Sequence, residues 1–117
     1  MAHHRNSIEQ TLLAYKKGVD TFLKQMPAFT KKYHDFTEAC FQEGELSAKA
    51  KQLIGLGISL HAQDEYCIIY HTKGCLDQGC TKQEILEAAA VTAAFGGGAS
   101  MSQAVTLVQE CIDELSN

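Results

Sequence analysis

Along nearly the whole chain apolar side chains return every third or fourth residue, the spacing of one face of an α-helix rather than the every-second-residue alternation of a strand. Between residues 7 and 26 they fall at Leu12, Tyr15, Val19, Phe22 or Leu23, and Met26; between Ala28 and Glu43, at Phe29, Tyr33, Phe36 and Cys40. A third set, Ala50, Leu53, Ile54, Ile58 and Leu60, follows Ser47. The last, Ala104, Leu107 or Val108, Cys111 or Ile112, and Leu115, follows Ser100-Met101-Ser102-Gln103. Helix boundaries fall between the sets. Ser7 and Ser47 suit N-caps, Pro27 closes one helix and can open the next, and Asp64 suits the cap of a helix closed by Gly79. Thr81-Lys82-Gln83-Glu84 has the form of a capping box. Behind it, Ile85 to Phe95 is apolar on most faces, which predicts the central buried helix, and Gly96-Gly97-Gly98 predicts the turn that ends it. The predicted fold is all-α, with five to six helices, and 117 residues suffice for one domain over 1–117 with its own core.

Two glycines, Gly55 and Gly57, sit inside the third helix, where each costs up to about 1 kcal/mol against alanine, so close approach of another helix is expected there. The aromatic stripe of Phe29, Tyr33 and Phe36 reads as core or subunit contact. A net charge of −4 with both signs interspersed leaves no basic patch, which argues against a nucleic-acid partner. No apolar run approaches the ~20 residues that span a bilayer. Met1-Ala2-His3-His4-Arg5 lacks the apolar stretch of a secretory signal, so a cytoplasmic protein with no membrane partner is expected. The five cysteines, Cys40, Cys67, Cys75, Cys80 and Cys111, are an odd number without CxxC spacing, and read as reduced thiols in a cytosol. The glycine triplet follows no strand and precedes no GK[ST], so it is not a nucleotide loop, and no cofactor is expected.

Chemistry concentrates in Asp64-Glu65-Tyr66-Cys67-Ile68-Ile69-Tyr70-His71. On a helix, Cys67 and His71 stand one turn apart on one face, about 5–6 Å between Cβ atoms, within reach of imidazole-assisted thiol chemistry. With Asp64 as the cap, Cys67 is the third helical residue, where the positive end of the helix dipole lowers a thiol pKa. Asp64 opposes this, because its carboxylate competes for the Cys67 amide and repels a second anion. Were the helix continuous from His61, then His61, Asp64, Cys67 and His71 would share a face wide enough for Zn²⁺ or Ni²⁺. Core or cap roles explain each residue separately, and no metal is expected.

Three stretches, Lys51 to Leu60, Glu65 to His71 and Gly79 to Ile85, together with the glycine triplet, resemble the carboxymuconolactone decarboxylase family, which includes the alkylhydroperoxidase D-type proteins; the resemblance covers about residues 40–105. It implies an all-helical fold assembling as homotrimers or homohexamers. The redox members of the family carry a Glu, then eleven residues, then Cys-x-x-Cys-x-x-x-His; the second cysteine attacks, the first forms a disulfide with it, and Glu and His relay protons. In this chain the attacking cysteine falls on Cys67 and the relay histidine on His71, while the first cysteine is replaced by Asp64 and the relay glutamate by Gln52. A CxxC disulfide is therefore excluded. The expected activity is peroxiredoxin-type and weak: Cys67 reduces a hydroperoxide, and an external thiol, or Cys40, Cys80 or Cys111 brought near by folding or assembly, reduces the sulfenic acid. The alternatives are acid–base decarboxylation of a lactone acid by His71 with Gln52 or His61, and an oligomeric binding scaffold whose chemistry has decayed.

Overall fold

The computed structural model describes residues 7–116. Helix α1 (Ile8–Gln25) begins at a capping box: Ser7 Oγ accepts the Gln10 amide at 3.1 Å, and Gln10 Oε1 accepts the Ser7 amide at 3.0 Å. Its first residue also donates its amide N–H to Glu114 Oε1 near the C-terminus, at 3.2 Å. Pro27, whose missing N–H costs nothing in a first turn, opens α2 (Pro27–Cys40). The two helices form a hairpin, with Phe29 edge-on to Phe22 and stacked on Tyr33, both at 6.0 Å. Nothing in α2 is buried, and Phe29, Tyr33 and Phe36 are 53%, 58% and 63% exposed. Among the described residues the aromatic stripe is therefore not core within one chain, and α2 packs mainly on α1. Helix α1 packs on the body while α2 stands away from it, and the radius of gyration, 14.8 Å, exceeds the about 13 Å of a compact domain this long.

The body is built from α3 (Ala48–Ala62), α4 (Glu65–Asp77), α5 (Lys82–Gln103), a π-helical turn (Ala104–Val108) and α6 (Gln109–Leu115). Ser47 and Thr81 cap α3 and α5, the latter in the expected box with Glu84. Helix α3 packs on α4 and α5, and the C-terminal stretch returns against α4 and α1. Leu56, Leu60, Ile68, Ile69, Ile85, Leu107 and Val108 form the centre of the core, with Ile8 the main contribution from the hairpin. No strand occurs among the described residues, and no helix there is long and apolar enough to cross a membrane.

Two expectations change. The alanine-rich segment is not buried all round: Ile85, Ala89 and Thr92 face inward, but Val91 and Phe95 are 63% and 81% exposed. Helix α3 packs on α5, and the face carrying Val91 and Phe95 is left open among the described residues. The glycine triplet is a bend rather than a loop. Only Gly97 leaves helical geometry, at φ 63 and ψ −144, and the helix resumes at once. Gly96 lies so close to Ser100 and His61 that it has no room for a Cβ.

Candidate functional site

Helices α3 and α4 are separated by Gln63, which takes the left-handed conformation at φ 58, and by Asp64, whose carboxylate accepts the Cys67 amide at 3.2 Å. This break fixes Cys67 as the third residue of α4. It also removes His61 from the shared face, turning it toward Gly96 and the groove between α3 and α5. Among the described residues no group of three His, Cys, Asp or Glu could hold a metal ion.

The thiol of Cys67 is half-buried, and its pKa is raised above the ordinary value by burial, then by the charge of Asp64 and the hydrogen bond between the two side chains. Loss of hydration and an adjacent carboxylate thus oppose the helix dipole and favour the protonated S–H form. Tyr15 of α1 lies beside it, with its ring 5.7 Å from Tyr66 and 6.2 Å from Tyr70. Burial, and secondarily Cys67, holds its phenol above the usual range.

His71, one turn further, is bonded through Nδ1 to Gln52 Oε1 at 2.9 Å. With the amide oxygen toward the ring, Nδ1 carries the proton and Nε2 the lone pair. Phe41 stacks on the imidazole at 5.3 Å, and Tyr70 meets it edge-on at the same distance. Burial lowers its pKa from 6.5, so the ring is neutral at pH 7. Two glycines make the arrangement possible: a Cβ at Gly55 would lie 3.0 Å from His71 Nδ1, and a Cβ at Gly74 would collide with the Gln52 amide. The close approach expected at Gly55 is thus real, but a side chain makes it.

The four residues singled out from sequence form two contacting pairs, Asp64 with Cys67 and Gln52 with His71, separated by a turn of α4; no hydrogen bond joins thiol to imidazole. An open groove lined by Cys40, Phe41, Lys51, Ile54, Gly55 and Ile58 shares Phe41 and Gly55 with the walls of the imidazole. Cys80 and Cys111 are buried and Cys40 is exposed. Sequence reasoning missed Phe41, which lies outside the apolar repeat, and Tyr15, which the repeat marked only as part of a stripe. Gly74, lone in a helix interior, was a second signal for the Gln52 contact, beside the motif positions of Gln52 and His71.

A bent helical body carrying cysteine and histidine one turn apart, with a polar partner on the preceding helix, defines a class of helical hairpin proteins. The sequence profile of the carboxymuconolactone decarboxylase family matches residues 27–110, and the chain belongs to that family. An uncharacterized protein of the cox locus of Paracoccus denitrificans is 34% identical over 58% of this chain and 61% of its own length. The matched stretches span less than two thirds of the curated relatives' length. Among solved structures, a carboxymuconolactone decarboxylase family protein from Legionella pneumophila superposes with a TM-score of 0.89 at 24% identity, over 94% of this chain and 97% of its own. A family protein from Thermotoga maritima, to which involvement in the antioxidative response is ascribed as a possibility, gives 0.80 at 24% identity, over 90% and 89%. These two likenesses establish the fold.

Proposed function

We propose that the protein is a slow, one-cysteine peroxidase of the peroxiredoxin type, with Cys67 as nucleophile, His71 as base, and Gln52 and Asp64 as positioning residues. The carrying observation is His71, held neutral by burial and anchored through Nδ1 on Gln52, one turn from a half-buried thiol. The thiol proton passes to Nε2 as sulfur attacks the terminal oxygen of a hydroperoxide. The O–O bond breaks, the alkoxide leaves and takes the proton as alcohol, and Cys67 becomes a sulfenic acid. One external thiol then displaces water to give a mixed disulfide, and a second regenerates Cys67 as the external disulfide departs. The raised thiol pKa sets the slow rate, since only the thiolate attacks.

Consumption of a hydroperoxide in the presence of an external thiol, wild type beside Cys67→Ser, tests this reading; loss of turnover is expected, and equal rates would end it. Because the Cys67 pKa is raised, turnover should rise further only in the alkaline range, where free thiolate adds to the attack assisted by His71. Because the His71 pKa is lowered, its acid limb should lie below pH 6.5. Asp64→Asn removes the nearest carboxylate, so turnover at pH 7 should rise.

The protonated resting thiol and the intact Gln52–His71 pair favour a second reading, acid–base decarboxylation of a lactone acid, with Lys51, whose ammonium donates to the Gln42 carbonyl, on the groove wall. Here Cys67→Ser would keep turnover and His71→Ala would lose it; no effect of either on any turnover would leave a binding scaffold. The exposed aromatics of the hairpin support assembly as a homotrimer or homohexamer, measurable by light scattering. Five free cysteines suit a reducing cytoplasm.

A further inference from the structure

The far end of α4 holds a pair of sulfurs that the proposed reaction does not use. Gly79, at φ 85, reverses the chain there, so that the Cys80 amide returns to the Cys75 carbonyl at 2.9 Å and the Gly79 amide to that of Leu76 at 3.0 Å. This is a helix C-terminus closed through a left-handed glycine, in which the residues at the two ends of the longer bond ordinarily make an apolar contact. Here both are cysteines, Cys75 wholly buried and Cys80 6% exposed. The bent Cα–C=O unit spans about 2.4 Å end to end, and adding the hydrogen bond and the N–Cα length bounds the two Cα atoms at about 6.8 Å apart, within the range that a disulfide spans. The two side chains also lie close enough to shift one another's ionisation.

From this juxtaposition we infer that Cys75 and Cys80 form a reversible intramolecular disulfide, a redox-modifiable latch between the last turn of α4 and the start of α5. The co-reactant is a low-molecular-weight disulfide, RSSR. Cys80 is the sulfur nearer the surface, flanked by the ion pair of Lys49 and Glu84 at 2.8 Å. Its thiolate attacks one sulfur of RSSR and expels RS⁻. Cys75 then releases its proton, attacks the Cys80 sulfur and expels the second RS⁻. The two leaving thiolates take up the two cysteine protons, so that the dithiol and RSSR become a protein disulfide and two RSH. Burial makes both steps slow, and it equally shields the finished bond from reduction.

The test uses the full chain, wild type and Cys67→Ser, so that failure of the peroxidase reading does not touch it. Each is held in buffers of oxidised and reduced glutathione, with sub-denaturing urea to admit the reagent, until the ratio of forms stops changing. After acid quenching, alkylation and trypsin digestion, both sulfurs lie on the one peptide Gly74–Lys82. The expected product is that peptide unalkylated and lighter by two hydrogen atoms, in both variants. Its formation should raise the thermal midpoint by about 5 °C or more, and Cys80→Ala should abolish the rise. Recovery of both cysteines alkylated at the most oxidising ratio, or arrest of Cys80 as a glutathione mixed disulfide, would overturn the inference.

Discussion

The α1–α2 hairpin and the α3–α6 body are written in much the same pattern, yet they differ in what covers them. In the body the repeat at Leu56, Leu60, Ile68 and Ile69 is wholly enclosed. In the hairpin the equivalent repeat at Phe22, Phe29, Tyr33 and Phe36 stays 46% to 63% exposed, touching mainly itself. Periodicity identifies the face that water disfavours; whether another segment of the same chain arrives to cover it is a separate fact. The difference also separates roles, because the body holds Cys67, Gln52 and His71 while the hairpin side adds the rings of Tyr15 and the adjoining Phe41.

The strongest way to break this contrast is truncation in the body. Leu60→Ala or Ile68→Ala should cost about 2–5 kcal/mol in denaturant unfolding; a cost near zero would mean that the body is no better packed than the hairpin. The second test is alkaline. Burial, with Cys80 beside it, pushes the Cys75 thiol up to about 12 from 9.0. A folded thiol that keeps its proton longer than the unfolded one gives stability that is complete below pH 9 and is lost as pH rises from there toward 12. The expected slope is about 1.4 kcal/mol per pH unit, flattened in Cys75→Ala. Third, Gly74→Ala should leave stability within about 1 kcal/mol of wild type, helix propensity offsetting a displaced flexible side chain. Turnover should nevertheless fall, since the new methyl takes the place of the Gln52 amide that orients His71. The smallest effect belongs to the hairpin: Phe36→Ala should change the stability of dilute protein by less than about 0.5 kcal/mol. A loss as large as that of Leu60→Ala, dependent on protein concentration, would show the stripe to be covered by a second copy.

Much of the fold was legible because its signals are local. Ser7, Ser47, Asp64 and Thr81 cap helices where their side chains predict, and Pro27 opens α2. The family resemblance read from the motif stretches is borne out by the profile match. Errors arose where distant segments decide. Nothing in the spelling of Ile85 to Phe95 says that its neighbours leave Val91 and Phe95 open. Nor can spacing weigh the helix dipole on Cys67 against the burial that raises its pKa, because burial is set by tertiary packing. The Gln52–His71 contact came from motif positions nineteen residues apart, whereas Phe41, stacked on the same ring, carried no motif.

Gly97 has a consequence for the whole C-terminal third. At φ 63 and ψ −144 its backbone occupies a region that side chains of L configuration enter only under strain. A hydrogen atom in place of a methyl thus steers the helix that delivers Leu107, Val108 and Ile112 onto α4. A chain with alanine there would keep every oily residue of its interior and lose the route by which they arrive.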